Sequence, residues 1–333
     1  MKVKATTFLV TAALTLPAFS GAAAGDDKVR LRLNWMYYGS HAGFALGKDK
    51  GIYAKHGIDI DIRSGNGSGS AHRLVANKDS DFDYGSCASM VNLVSQGASL
   101  TSVAVIDAMG TDAVLVRPDT GVKTIGDLKG KILLTTANAG VNTFFPLVLK
   151  TAKIPDDGVK ITNVAEGALV SAYLQGTGGN VGMLGGMDDK PSEIEANGGQ
   201  PPVIFPYSDY GVNQVGYCIV THNDTIANKS DLVKRFVAAT IESYKMTEAN
   251  PQAAIASMAD IVGGTMAEDK GKAQALAVLK VTLGVLYSPA NKEKQLGLHV
   301  ASDWDSMLDL MKAYNGLKTD KTAAAFYTNK FLP

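Results

Sequence analysis

The chain has few cysteines and no excess of either charge. Among 333 residues only Cys87 and Cys218 are cysteines, too few for a disulfide-based scaffold, and the sequence leaves open whether they are bridged. The formal net charge is +0 at pH 7, which gives no reason to expect nucleic acid or an anionic membrane surface as a partner. The remaining composition is that of a globular protein with ample core-forming material.

Sequence patterns of catalysis and metal binding are also missing. No nucleophilic triad can be identified, and no histidine or cysteine spacing is typical of a metal site. The glycine-serine stretch at residues 65–70 lacks the Lys-Ser/Thr ending of a phosphate-binding P-loop. We therefore expect no catalytic residues, no metal and no cofactor.

The first 24 residues have the pattern of a secretory signal peptide. Lys2 and Lys4 form a basic start, an apolar stretch covers residues 5–19, and small residues follow through Ala24. The apolar stretch is too short for a good membrane anchor, and no later segment has the length of a membrane span. We expect cleavage after residue 24, no stable membrane insertion, and a mature protein in the periplasm.

The rest of the chain alternates strand-like and helix-like segments. Residues 29–33 and 58–62 alternate apolar and polar side chains, with a helical pattern between them that Gly57 ends. Similar units follow, and a second series begins after residues 113–116. This alternation predicts an α/β fold with mostly parallel sheets. From Ser230 onwards the pattern is almost entirely helical.

Two α/β series followed by a helical tail predict two lobes with a ligand cleft between them. We assign residues 25–117 and 211–333 to lobe 1, which is discontinuous and includes the C-terminal helices. Residues 118–210 form lobe 2. The strands at residues 113–116 and 215–220 are expected to be the crossover connections between the lobes.

Side chains at strand ends are the candidate ligand-binding residues, because open α/β sheets bind small molecules there. In lobe 1, Trp35 could stack on a planar ligand or serve only in packing. His41 could bind a ring nitrogen or a carboxylate, or be a packed capping residue. The lobe 1 candidates are Asn34, Trp35, Tyr37, Tyr38, His41, Gly67, Ser68, Ser86 and Cys87.

In lobe 2 the candidates follow the corresponding strand ends. The Asp188 carboxylate could accept hydrogen bonds from an amino group or pair with a cation, or it could cap the helix that begins near Pro191. Tyr210 could face the ligand from just before the chain returns to lobe 1. The lobe 2 candidates are Asn138, Gly140, Asn142, Thr143, Glu166, Gly186, Met187, Asp188 and Tyr210.

Several short motifs, taken together and in order, resemble a known family, the thiamine-pyrimidine-synthase-like solute-binding proteins. The motifs are NW at 34–35, HAGF at 41–44, KGIY at 50–53, GIDI at 57–60, GS at 67–68, DFDYG at 81–85, IGDLKGK at 125–131 and LVKRF at 232–236. The resemblance implies a two-lobed type II periplasmic binding fold that closes around one small molecule by a hinge motion. It also implies delivery of that ligand to an ABC permease and its ATPase, without chemistry on the ligand. We expect a monomer.

The family group includes binders of thiamine pyrimidine precursors, riboflavin, taurine, alkanesulfonates and nitrate. Our candidates contain no Arg or Lys, whereas binders of sulfonate or nitrate usually need a cationic partner. We therefore favour a neutral or weakly basic heteroaromatic, such as a thiamine-precursor pyrimidine. A sulfonate, nitrate or aromatic carboxylate is the alternative, because helix N-termini bind anions and Arg63 or Arg73 could reach the cleft.

An enzyme is the remote alternative. The fungal members of the group are pyrimidine synthases that consume a bound pyridoxal cofactor and need iron. Such an enzyme requires a lysine in the cofactor site and a cysteine-rich iron motif. Here no lysine lies within residues 33–44 and the two cysteines stand alone, which favours binding over catalysis.

Overall fold

The structure of the protein is a computed structural model that describes Met1, residues 26–137 and residues 139–333. The predicted export signal, apart from Met1, and the candidate Asn138 lie outside the described residues. Within the described residues, no helix combines the length and the apolar character needed to cross a membrane.

The described residues form ten strands and twelve α-helices. The strands are β1 Asp27–Leu33, β2 Ile58–Arg63, β3 Phe82–Ser86, β4 Leu100–Asp107, β5 Asp112–Val116, β6 Ile132–Thr135, β7 Lys160–Asn163, β8 Gly182–Gly186, β9 Val203–Pro206 and β10 Tyr217–His222. The helices are α1 Ala42–Asp49, α2 Ile52–Lys55, α3 Ser68–Ala76, α4 Cys87–Ser95, α5 Phe145–Thr151, α6 Glu166–Gln175, α7 Lys190–Ala196, α8 Asn223–Asn228, α9 Ser230–Ala249, α10 Pro251–Val262, α11 Asp269–Gly284 and α12 Ala301–Tyr314.

The strands make two five-stranded sheets of the same design. The first sheet has the order β2-β1-β3-β10-β4 and the second the order β7-β6-β8-β5-β9. In the first sheet β2, β1 and β3 are parallel, and β10 runs antiparallel to both of its neighbours. In the second sheet β7, β6 and β8 are parallel, and β5 runs antiparallel to both of its neighbours.

The expectation of mostly parallel sheets is therefore wrong for half of the strand pairs. The chain crosses between the sheets twice, at residues 108–111 and again at residues 207–216. After each crossing the chain enters the other sheet at its cleft edge. The strand that follows, β5 or β10, is therefore antiparallel to the parallel strands of that sheet. The strand at residues 113–116 is a full member of the second sheet, and β10 is a full member of the first.

The alternation of apolar and polar side chains explains why residues 27–33 form β1, the strand that ends at the cleft. Val29, Leu31 and Leu33 are buried, while Lys28 and Arg30 face solvent, so the apolar face lies on the core. The apolar side chains of β2 face the same core cluster. This pairing fixes where the residues after Leu33 emerge at the end of the sheet.

Close packing of α1 on α9 holds the loop that follows β1. A Cβ atom on Gly43 would lie only 2.7 Å from the Tyr244 ring, so glycine is what permits this approach. The Tyr244 hydroxyl donates a 2.8 Å hydrogen bond to the Ser40 carbonyl in that loop. The C-terminal helices thus pack on the first lobe and brace one edge of the cleft.

Cys87 and Cys218 form a disulfide. Their Cα atoms are 5.4 Å apart although 131 positions separate them in sequence. The bridge joins the first residue of α4 to β10, and both cysteines are fully buried. Strands β5 to β9 lie between the two cysteines in the chain, so the whole second sheet is inside the covalent loop.

Candidate functional site

A cavity of about 70 Å³ lies where the strand ends of the two sheets meet. Residues just after β1 line one side of it, and residues just after β6 and β8 line the other. In each sheet the connections change direction beside β1 or β6, the kind of point where α/β sheets bind ligands. The lining residues are Asn34, Trp35, Tyr38, Gly67, Ser68, Asp112, Thr136, Ala139, Gly140, Val141, Glu166, Leu169, Leu184, Gly185, Gly186, Asp188, Asp189, Lys190 and Tyr217.

A hydrogen-bond chain fixes the orientation of Asn34 in the first-lobe wall. The Tyr38 backbone N–H donates to His41 Nδ1 at 3.4 Å, so the ring proton is on Nε2, which lies 2.7 Å from Asn34 Oδ1. Burial lowers the pKa of His41 to about 3, so the ring is neutral. With its oxygen bound to His41, the Asn34 amide can offer only N–H donors; one of them bonds the Tyr38 hydroxyl oxygen, and the other is left for a ligand.

The rest of the first-lobe wall is fixed by bonds to the same turn. The Gly67 backbone N–H donates to the Asn34 carbonyl at 2.7 Å, and the Ser86 backbone N–H donates to Ser68 Oγ at 3.1 Å. Beneath them, fully buried His72 lies 2.9 Å from Asp83 and 3.0 Å from the Ser86 carbonyl. These bonds hold the wall in one shape before any ligand arrives.

The second-lobe wall is charged and centres on Lys190. Its side chain is 7% exposed, and its Nζ lies 3.0 Å from Glu166, 3.3 Å from Asp189 and 2.8 Å from Glu193. Burial lowers the pKa of Lys190, but the three carboxylates more than offset this and raise the pKa overall. Lys190 is therefore a protonated ammonium already paired on several sides.

Asp188 and Asp112 lie in the same cavity without such a partner. Asp188 is 6% exposed, and burial together with Asp189 raises its pKa to about 7. Ser40 Oγ, from the first lobe, donates a long hydrogen bond of 3.5 Å to Asp188 Oδ2. Burial raises the pKa of Asp112 to about 6, although Gln214 donates a hydrogen bond to its carboxylate. Both carboxyl groups thus resist ionisation as they stand.

Trp35 and Tyr38 separate this inner cavity from an outer one. The outer cavity has a volume of about 470 Å³ and includes Met36, Tyr37, Glu193 and residues of α11 in its lining. Trp35, Tyr38, Glu166, Asp189 and Lys190 line both cavities. The Lys190 Nζ lies 6.0 Å from the Trp35 ring centroid, at the outer limit of a cation–π contact.

The two lobes touch each other on both sides of the cavities. A Cβ on Gly140 would lie 3.2 Å from the Cβ of Ser86, so the lobe 2 backbone comes close to the first-lobe wall there. At the outer end, Lys270 Nζ donates to the Ala196 carbonyl at 2.8 Å, which ties α11 to the end of α7. The cleft is closed in this structure.

Half of the predicted site residues line the inner cavity. They are Asn34, Trp35, Tyr38, Gly67, Ser68, Gly140, Glu166, Gly186 and Asp188. Each of them lies at or just after the end of a strand, or at the start of a helix, at the cleft, which is the property that singled it out in the sequence.

Other lobe 1 candidates are used for structure. Tyr37 lines the outer cavity and its hydroxyl donates to the Ile62 carbonyl at 2.7 Å. His41 is buried behind Asn34. Ser86 Oγ caps α4 by accepting from the Ser89 N–H, and Cys87 is in the disulfide, so neither lines the cavity.

The other lobe 2 candidates among the described residues also lie outside the inner cavity lining. Asn142 accepts from the Thr135 hydroxyl and donates to the Thr136 carbonyl, which braces the end of β6. Thr143 follows it in the turn before α5. The Met187 N–H bonds to the Thr111 carbonyl, and the Tyr210 carbonyl accepts from the Thr151 hydroxyl.

Sequence reasoning missed Asp112, Thr136, Asp189, Lys190 and Tyr217, so its candidates include no basic side chain although Lys190 lines the cavity. Asp112 and Tyr217 begin β5 and β10, the strands expected to serve as lobe connections. Lys190 directly follows Asp188-Asp189 at the same strand end, so its position was a usable signal. Within the described residues, no group of three His, Cys, Asp or Glu side chains is arranged to hold a metal ion.

Comparison with known proteins gives consistent matches. A profile of the family described as NMT1/THI5 like matches residues 39–254, more than half of the chain. A Brucella abortus protein provisionally named as a binding protein is 25% identical over 265 residues, 76% of this chain and 77% of that protein. A Haemophilus influenzae protein provisionally named for thiamine biosynthesis is 20% identical over 251 residues, 74% of this chain and 76% of that protein.

The alkanesulfonate-binding protein SsuA from Xanthomonas axonopodis pv. citri, bound to MOPS, has the same fold. It matches with a TM-score of 0.70 and 14% identity, over 92% of this chain and 99% of that chain. The two-lobed periplasmic binding fold expected from the sequence is confirmed.

Proposed function

The chain belongs to the NMT1/THI5-like family, and from this premise we propose that it is the extracytoplasmic solute-binding component of an ABC importer. The observation that carries the proposal is the cavity between the lobes, with lining residues from the strand ends of both sheets. Together with the adjoining outer cavity of about 470 Å³, it offers the space that binding sites for small molecules have. In this role the protein is a periplasmic monomer that delivers its ligand to a permease driven by an ATPase.

Hinge closure is the proposed working motion. The sequence-based bounds are residues 25–117 and 211–333 for lobe 1 and residues 118–210 for lobe 2. Because β5 belongs to the second sheet, we place residues 112–117 in lobe 2, and the two lobes would separate to admit the ligand. The first connection between the lobes is therefore residues 108–111 in this proposal. Contacts such as Ser40 with Asp188 and Lys270 with Ala196 join the lobes only when the cleft is closed.

The proposed ligand is a small heteroaromatic, such as a thiamine-precursor pyrimidine. Trp35, Tyr38 and Tyr217 provide aromatic surface, and Asn34 provides an N–H donor for a ring nitrogen. A sulfonate or nitrate is less well served, because the one lysine in the lining is already paired with three carboxylates. The proposed contacts are the predicted ligand-binding residues that line the inner cavity, namely Asn34, Trp35, Tyr38, Gly67, Ser68, Gly140, Glu166, Gly186 and Asp188.

Binding is favoured over synthesis of a pyrimidine. A lysine that forms a Schiff base must be able to lose its proton, and the carboxylates around Lys190 raise its pKa instead. Incubation with pyridoxal phosphate should therefore give no imine absorbance. A stable imine at Lys190, located by borohydride reduction and peptide mass analysis, would favour the enzyme.

Native mass spectrometry of protein purified without unfolding tests the function. A retained small organic mass, together with thermal stabilisation by 4-amino-5-hydroxymethyl-2-methylpyrimidine, is the expected result. Stabilisation by taurine with none by pyrimidines would contradict the proposed ligand but keep the function. A protein that retains no small molecule and is stabilised by no solute of either class would contradict solute binding itself.

A further inference from the structure

The charges in the inner cavity do not balance. Four carboxyl groups line it, those of Asp112, Glu166, Asp188 and Asp189, against the single ammonium of Lys190. A fifth carboxylate, that of Glu193, contacts the same ammonium from the outer cavity. The site therefore carries more carboxyl groups than its one cation can neutralise.

The Lys190 ammonium forms ion pairs with only some of these carboxyl groups. Its three short contacts are to Glu166, Asp189 and Glu193. Neither Asp188 nor Asp112 forms an ion pair with any described side chain. Asp112 is bound by Gln214, whereas Asp188, which is 6% exposed, is met only by the Ser40 and Thr111 hydroxyls and its own backbone, and by no cation or side-chain amide.

A buried carboxylate without a cationic or strong hydrogen-bonding partner is costly, and it either stays protonated or finds a partner. The raised pKa of Asp188 expresses that cost in the ligand-free protein. Trp35, Tyr38 and Tyr217 line the same cavity with aromatic surface, which favours a flat cation both by stacking and by cation–π attraction.

We propose that this cavity selects a planar aromatic cation that donates two N–H groups to the Asp188 carboxylate, as an amidinium or a protonated aminopyrimidine edge does. The proposal rests on the proposed solute-binding function and specifies the charge of the ligand. A two-donor edge matches a carboxylate in the bidentate manner of guanidinium. Asn34, opposite, then meets an acceptor atom on the other edge of the ring.

Three probes of one shape and different charge test this selection: benzamidine, benzamide and benzoate. Each is titrated by calorimetry at pH 7.5 into dialysed full-length mature protein. Benzamidine should bind at least about tenfold more tightly than benzamide, the gain typical of a charge-assisted hydrogen bond, and benzoate should bind most weakly.

The Asp188→Asn variant locates the effect. It should weaken benzamidine about tenfold or more and leave benzamide within about twofold, because only the charged donor loses its partner. Asp209→Asn is the matched control, since it removes an exposed carboxylate from the same lobe and should change none of the three affinities.

The proposal is overturned if benzoate binds most tightly, if Asp188→Asn weakens all three probes equally, or if none of the probes binds. Native mass spectrometry separates this from a failure of the general function. A retained anionic solute would refute the cationic ligand while leaving solute binding intact.

Discussion

The first-lobe wall of the inner cavity contributes Asn34, Trp35, Tyr38, Gly67, Ser68 and Tyr217, none of them charged, whereas the second-lobe wall contributes four carboxyl groups and an ammonium. The first wall is held by hydrogen bonds such as that of His41 with Asn34, with the buried His72–Asp83 pair beneath it. The second is held by ion pairs around Lys190. The difference indicates a division of labour, in which one lobe presents a fixed shape and the other presents charge. Among the lining residues, only those of the second wall include carboxyl groups, so pH should act on the cavity mainly through that wall.

Removing the ammonium of Lys190 should have the largest effect. Lys190→Met leaves three carboxylates close together in a partly buried cluster, and losing one partner of a buried ion pair typically costs about 3–5 kcal/mol. We expect a loss of this size in the free energy of unfolding by urea at pH 8. Lys160→Met, at an exposed position on β7, is the control. Equal, small losses in the two variants would show that the cluster adds nothing.

Neutralising Asp188 should stabilise the ligand-free protein. Because its folded pKa of about 7 exceeds the usual value of 3.8, its contribution to stability is full below pH 4 and is lost as the pH rises to 7. Asp188→Asn removes this loss, so we expect it to be more stable than the parent by up to about 4 kcal/mol at pH 8 and nearly equal to it at pH 4. Urea unfolding across this pH range measures the difference, and a variant less stable at pH 8 would contradict it.

Truncating Trp35 tests the neutral wall. Trp35→Ala should weaken binding of an aromatic ligand by about 1–3 kcal/mol, the usual value of a stacking contact. Met36→Ala is the matched control, because Met36 is 56% exposed and lines only the outer cavity. Calorimetric titration with the ligand identified by native mass spectrometry makes the comparison. Unchanged affinity in a folded Trp35→Ala protein would make Trp35 a packing residue.

The smallest effect should come from His41, which acts through Asn34. His41→Ala frees the Asn34 amide to rotate and should weaken ligand binding by about 1 kcal/mol, whereas His41→Gln can still donate to Asn34 and should retain most of the affinity. Because the His41 ring is neutral, the ratio of parent to His41→Gln affinity should stay constant from pH 5 to pH 8. A ratio that changes with pH would mean that the ring titrates.

The sequence predicts the fold correctly where neighbouring residues alone determine the local structure. The alternating β1 and β2 lie where the pattern predicts them, and Gly57 ends the intervening helical stretch with a φ of 68°. Trp35 and Asp188 were predicted as site residues because they follow strands, and strand ends meet at the cleft. In these cases the information is local, so periodicity and turn chemistry suffice.

The rest of the site depends on contacts between distant residues. Lys190 matters because it meets Glu166, 24 positions earlier in the chain, and no local pattern reveals that meeting. Asp112 and Tyr217 were hidden because an antiparallel strand within a sheet has the same sequence pattern as a connecting strand. Conversely, the polar side chain of Asn142 is used to brace the end of β6, a role that residue type alone does not distinguish from ligand binding.

The disulfide gives the second lobe an unusual covalent status. The disulfide between Cys87 and Cys218 closes a loop of chain that contains strands β5 to β9 together with α4 and β4 of the first lobe, so the whole second lobe lies inside a covalently closed loop. When the two chain ends are pulled, the force passes through the disulfide bond and not through the chain inside the loop. If the second lobe unfolded, the disulfide would keep the two ends of the loop close together. The unfolded loop would then have lower conformational entropy than an open chain, and refolding would begin from that restricted state. Pulling on single molecules should therefore extend the oxidised protein by a length that omits residues 88–217, and a reducing agent should restore that length.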